Sequence, residues 1–130
     1  AKNKMRKVER IAFAFQKRQG GTAMNSEKFN EIISAQLEHC KIVLCKKAKE
    51  YATKDRLHNF KVAASLERTT PVAALMGMMA KHTVSVYDMC IGTDGYEHFN
   101  YPLELWDEKI TDSINYLLLL RALVEEENSQ

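Results

Sequence analysis

Glu108, Asp112 and Asn115 stand four and three residues apart within ELWDEKITDSINYLLLLR, residues 104–121. Each residue of a helix turns by about 100°, so this spacing returns all three to nearly one face. The remainder of the helix is mostly apolar, with Leu105, Trp106, Ile110, Ile114, the run Leu117 to Leu120 and Leu123. A helix apolar nearly all round is expected to be buried, and a carboxylate is rarely buried unless it is paired or holds a metal. The stripe is therefore either a site or one narrow wet face.

A second polar stripe precedes it. Lys81, Ser85 and Asp88 repeat the spacing, with His82 adjacent. Consecutive helices joined by about a dozen residues usually pack antiparallel, which brings the two stripes together as an acid-rich slot. Carboxylate oxygens suit hard cations such as Mg²⁺ or Mn²⁺, which also take water and substrate phosphates. On this reading Asp112, Glu108 and Asp88 are metal ligands. Asp112, Glu108 and Lys81 form the catalytic set, with Lys81 against a phosphate, while His82 and Asn115 face the substrate. The plainer alternative makes Glu108 and Lys109 surface charges and pairs Asp112 with Lys81 or Arg121.

Arg56, His58 and Asn59 follow Asp55 at the start of a short helical pattern. Backbone N–H groups at such a start favour anions, so Arg56 and Asn59 are candidate contacts to a base or phosphate. Otherwise Asp55 caps, Arg56 pairs with an acid and His58 is solvated. In IGTDGYEHFNY, residues 91–101, Tyr96, His98, Phe99 and Tyr101 lie in the one long irregular stretch of the domain. Either it is a lid, with Tyr96 stacking on a base, or it pins its aromatics on its own surface.

These residues need helices to hold them. Two prolines and five glycines leave long stretches free of breakers. After an N-cap at Asn25 or Ser26, apolar residues from Phe29 through Ile32, Ile33, Leu37, Cys40, Val43, Leu44 and Ala48 to Tyr51 predict one long helix with a buried stripe. A short helix follows over residues 56–66, using Leu57, Phe60, Val62, Ala63 and Leu66. Thr70-Pro71 then opens a third, which runs to about Cys90 with Leu75, Met76, Met79, Val86 and Met89 inward. Met76, Met78 and Met79 fill core gaps. The last helix runs from Pro102 to about Glu126. The expected fold is all-α: an antiparallel bundle of three long helices and one short one, with an additional N-terminal basic helix or arm.

At 130 residues the length suits one domain. Gly20-Gly21-Thr22 is the clearest break, separating a basic arm, 1–23, from a domain, 24–130. Met24 also suits a natural start, which would make the arm an extension. The arm holds seven basic residues and one acid, net +6 against +2 for the whole chain, so the other 107 residues carry −4. Such an arm suits nucleic acid or an acidic host protein. The alternative is a solvated helix that docks Ile11, Phe13 and Phe15 on the body or on a second subunit. No apolar run reaches the roughly 20 residues a membrane helix needs. Cys40, Cys45 and Cys90 lack zinc spacing and favour reduced, buried thiols in a cytosol over a disulfide frame.

The segments EYATKDRLHNF, TPVAALMGMMAKHTVSVYDM and LWDEKITDSINYLLLL resemble the MazG-like all-α nucleoside triphosphate pyrophosphatase group and its phage nucleotide-modification-associated relatives. The likeness covers roughly residues 29–125 and is most specific at Asp112 and Asn115-Tyr116 before the leucine run. It implies a phage or prophage protein of the bacterial cytoplasm and a helical bundle that forms dimers or tetramers. It also implies carboxylates holding Mg²⁺ (or Mn²⁺) while a nucleoside triphosphate is cleaved between its α and β phosphates. The family pairs acids three residues apart on two helices. Here Lys109 stands three before Asp112, and the other helix offers Lys81, His82 and Asp88. The departures keep open a non-catalytic protein that binds or sequesters a nucleotide, or that contacts a host factor.

Overall fold

The computed structural model describes residues 6–11, 23–50, 53–95 and 98–130, and every regular element among them is helical. α1 covers residues 7–11; α2 is Ser26–Glu50, α3 His58–Glu67, α4 Pro71–Asp94 and α5 Leu103–Asn128. The chain divides into two units, Ala1–Ala35 and Gln36–Gln130, so the boundary falls inside α2. The break expected at Gly20-Gly21-Thr22, and Phe13 and Phe15 of the arm, lie outside the described residues. Among those described, no helix is long and apolar enough to cross a membrane.

Local chemistry sets the helix ends. Asn25 Oδ1 accepts from the Lys28 N–H at 2.8 Å, satisfying one of the donors a helix start leaves open. Thr70 does the same for α4, accepting from Ala73 N–H at 3.2 Å with Pro71 in the first turn. Asp55 Oδ1 takes the Leu57 N–H at 2.9 Å and shapes the turn into α3. That helix closes through Arg68, whose φ of 54° is left-handed and lets Thr69 N–H reach the Ala64 carbonyl at 2.9 Å.

α4 runs four residues past the expected end at Cys90. Within this extension Gly92 makes room for the loop, since the Tyr101 hydroxyl stands where a Cβ would be, with the Phe99 ring beside it. Phe99 N–H donates to the Gly92 carbonyl at 3.0 Å, so residues 98–101 fold back on the final turn. Tyr101 also meets Trp106 edge-on at 6.0 Å. Phe99 and Tyr101 thus pin themselves to the loop's own surroundings.

α4 packs against α5, and α3 packs against α4. The central cluster is Leu57, Phe60, Leu75 and Leu123, flanked by Val72, Met78, Tyr116, Leu119 and Leu120. Three expected faces need correction. On α4, Met78 turns to this cluster whereas Met76 is 63% exposed. On α2, only Cys40 of the expected stripe is fully buried, and Phe29, Ile32, Ile33 and Leu37 are exposed. Val62 and Leu66 of α3 are exposed too.

The largest correction concerns α5. Its buried residues are Thr111, Asn115 and Leu123, while Leu103, Leu117 and Leu118 face solvent. Asp112 and Asn115 of the polar stripe turn inward while Glu108 stays exposed, and Leu119 and Leu120 of the leucine run pack on the core while Leu117 and Leu118 point out. Partners account for this: Gln36 Nε2 of α2 donates to Thr111 Oγ1 at 2.9 Å and to Cys40 Sγ at 3.3 Å, so the buried hydroxyl is satisfied.

Candidate functional site

Within the Gln36–Gln130 unit, a cavity of about 420 Å³ gathers side chains from four helices. α5 supplies Asp112, Asn115, Tyr116 and Leu119, one turn after another along its inward face. α3 supplies His58, Asn59, Phe60, Val62, Ala63 and Leu66, preceded by Arg56. α2 adds Leu44 and Lys47, and α4 adds Met78. The wall is largely apolar, with two fixed cations, one carboxylate and two carboxamides. A volume of this order suits a small-molecule ligand.

Arg56 is tied to the scaffold, its Nη2 donating to the Leu44 carbonyl at 2.9 Å. This bond holds the turn before α3 against α2, and Arg56 and Lys47 line the same cavity. Behind the wall, His82 Nδ1 lies 3.7 Å from Asp112 Oδ2, and its ring stacks at a tilt on Tyr116 with centroids 4.8 Å apart. That approach is longer than a hydrogen bond. Burial holds the His82 pKa below its ordinary 6.5 despite the pull of Asp112, and Lys81, Lys109 and Lys47 push it down further. His82 is therefore a neutral imidazole at neutral pH, and no full ion pair forms with Asp112.

The expected residues separate into two groups. Arg56, Asn59, Asp112 and Asn115 meet at the cavity, with His82 directly behind Asp112. Lys81 and Asp88 are exposed on α4, because His82 rather than its neighbour holds the inward position. Glu108 is 62% exposed and lies 3.8 Å from Lys109, as the plainer reading of that pair has it. Tyr96 lies outside the described residues. The acid-rich slot is thus not what the facing stripes build. Among the described residues no three His, Cys, Asp or Glu side chains come together as a metal cage. Among the described residues Asp112 is the one carboxylate on the cavity wall, and one carboxylate with substrate phosphates is a common way to hold Mg²⁺.

Lys47, Leu44 and Gln36 are additions that the sequence reading passes over. Their signal is present in the spacing: Gln36, Cys40, Leu44 and Lys47 recur at helical intervals along one face of α2. Two polar residues interrupting an apolar stripe mark the places where that stripe meets something polar. Comparison with protein-family models, curated proteins and solved structures finds no match to this chain.

Proposed function

We propose that the chain is a MazG-like helical protein that binds a nucleotide in this cavity, the phosphates at Lys47 and Arg56 and the base against the apolar wall. The observation that carries the reading is the convergence of those two cations, from different elements, on a cavity otherwise walled by Phe60, Val62, Leu66, Met78 and Leu119. Charged donors recognise phosphate oxygens, and base faces stack on apolar and aromatic surface. The all-helical order of long and short elements supports the reading, and the proposal extends to an antiparallel bundle and to a phage or prophage setting in a bacterial cytoplasm. Titrating nucleoside triphosphates in EDTA tests the binding. Lys47→Ala is expected to weaken it about tenfold, the loss of one charge-assisted contact, and an unchanged affinity contradicts the assignment.

A second reading adds chemistry, and Asp112 on the cavity wall favours it. The protein is then a Mg²⁺-dependent nucleoside triphosphate pyrophosphohydrolase. Asp112, together with the triphosphate, would hold Mg²⁺ or Mn²⁺, and the metal would supply charge stabilisation at phosphorus. Lys47 and Arg56 would orient the phosphates. Pyrophosphate release that requires both the metal and Asp112 supports this reading; release that persists in Asp112→Asn removes it.

A further inference from the structure

α4 carries two apolar faces, and the fold covers one of them. Ala74, Leu75 and Met89 are buried and Met78 packs on the central cluster, all toward one side of the helix. Roughly opposite, Met76, Ala80, Val84, Tyr87 and Ile91 follow one another at steps of four and three residues, and every one is exposed. This stripe extends for about 22 Å along the helix, and no charged side chain interrupts it. Beside it, a Cβ added at Gly77 would meet no described residue within 4 Å.

The charges along the stripe's edge point to what covers it. Lys81 and Asp88 are seven residues apart, so they lie on the same flank, two turns from each other. Both are exposed, and neither makes an ion pair among the described residues. When two copies of one helix pack antiparallel about a two-fold axis, each flank meets the same flank of the other copy in reversed order. A flank bearing one cation and one anion two turns apart is then its own complement. With the axis between Thr83 and Val84, Met76 lies level with Ile91 of the partner subunit. Ala80 lies level with Tyr87 of the partner subunit, a small side chain against a large one. Lys81 then stands about 3 Å along the axis from Asp88 of the partner subunit, within reach of its side chain, and the symmetry makes the contact twice.

We propose that this face joins two copies of the chain, α4 against α4 in antiparallel register, with reciprocal Lys81–Asp88 pairs at its edge. The face lies across α4 from Met78, which lines the cavity, so the inference is independent of what the cavity binds. It also gives a role to two polar residues that the cavity leaves outside.

Sedimentation equilibrium of the full chain and its variants tests the register. The native chain is expected to self-associate. Lys81→Glu sets acid against acid at both edges, and Asp88→Lys sets base against base. Each is expected to weaken association at least tenfold. An equimolar mixture of the two variants should recover it, because each then faces the opposite charge on the other, and recovery also shows that both are folded. Tyr87→Glu, which puts a charge on the stripe itself, should be monomeric with unchanged circular dichroism. A monomeric native chain overturns the proposal. Association that survives Tyr87→Glu places the interface elsewhere and overturns it too. Charge variants that associate like the native chain, or that fail to complement each other when mixed, overturn the antiparallel register.

Discussion

At the scale of single residues, His82 shows how burial and charge together fix a protonation state. Desolvation opposes the imidazolium, and Lys81, Lys109 and Lys47 add to it, so the attraction of Asp112 is outweighed. Above its ordinary pKa of 6.5, His82 is neutral in both the folded and unfolded chain and shifts nothing. As pH falls through that value, the unfolded chain takes up a proton that the folded chain still refuses, and stability declines until the folded form is protonated as well. Denaturant unfolding from pH 8 down to pH 5 is expected to show a steeper loss for the native chain than for His82→Gln. Parallel curves would mean that the imidazole is not held neutral by burial. Lys61, in contrast, binds Asp55 and Glu126 at 2.6 Å each. These hydrogen bonds raise its pKa, but the exposed group only ties α3 to the end of α5.

Helix starts and lengths are set within a few residues of sequence, and they were legible there. Asn25, Thr70-Pro71 and Pro102 mark starts that the structure uses. The Thr70 cap is expected to matter: Thr70→Ala should cost about 1 kcal/mol, read as a lower melting temperature, and no change would mean that Pro71 alone fixes the start. Facing is decided between helices, and there sequence periodicity fell short. On α5 the stripe divides: Asp112 and Asn115 turn inward because Gln36, His82 and the cavity lie opposite them, whereas Glu108 stays exposed. Asp112 and Asn115 were legible as a pair sharing one helix face. Lys47 was legible only as a polar break in the face of α2, since nothing local links it to a guanidinium nine residues later. The loop over residues 98–101 depends on the bare backbone at Gly92, a contact that a one-dimensional pattern does not encode.

At the scale of the whole molecule, apolar surface remains uncovered. Val84, Tyr87 and Ile91 share one side of α4 and are 55%, 66% and 66% exposed. Three large apolar side chains on one helix side offer a face that a second copy would cover, and we propose a dimer or tetramer in solution. Sedimentation of the full chain should give a mass above 14.9 kDa, and a monomer at micromolar concentration would remove that proposal. The basic arm is a second surface to which a triphosphate could adhere, so binding alone does not identify the cavity. Ala63 lies on the cavity wall, and Ala63→Phe would fill the space while leaving every basic residue in place. The most direct measurement is therefore nucleoside triphosphate affinity for the native chain beside Ala63→Phe, with folding of both checked by circular dichroism. Binding that is lost in the folded variant places the ligand in the cavity, as the account predicts. Equal binding in the two proteins, or none in the native chain, contradicts it.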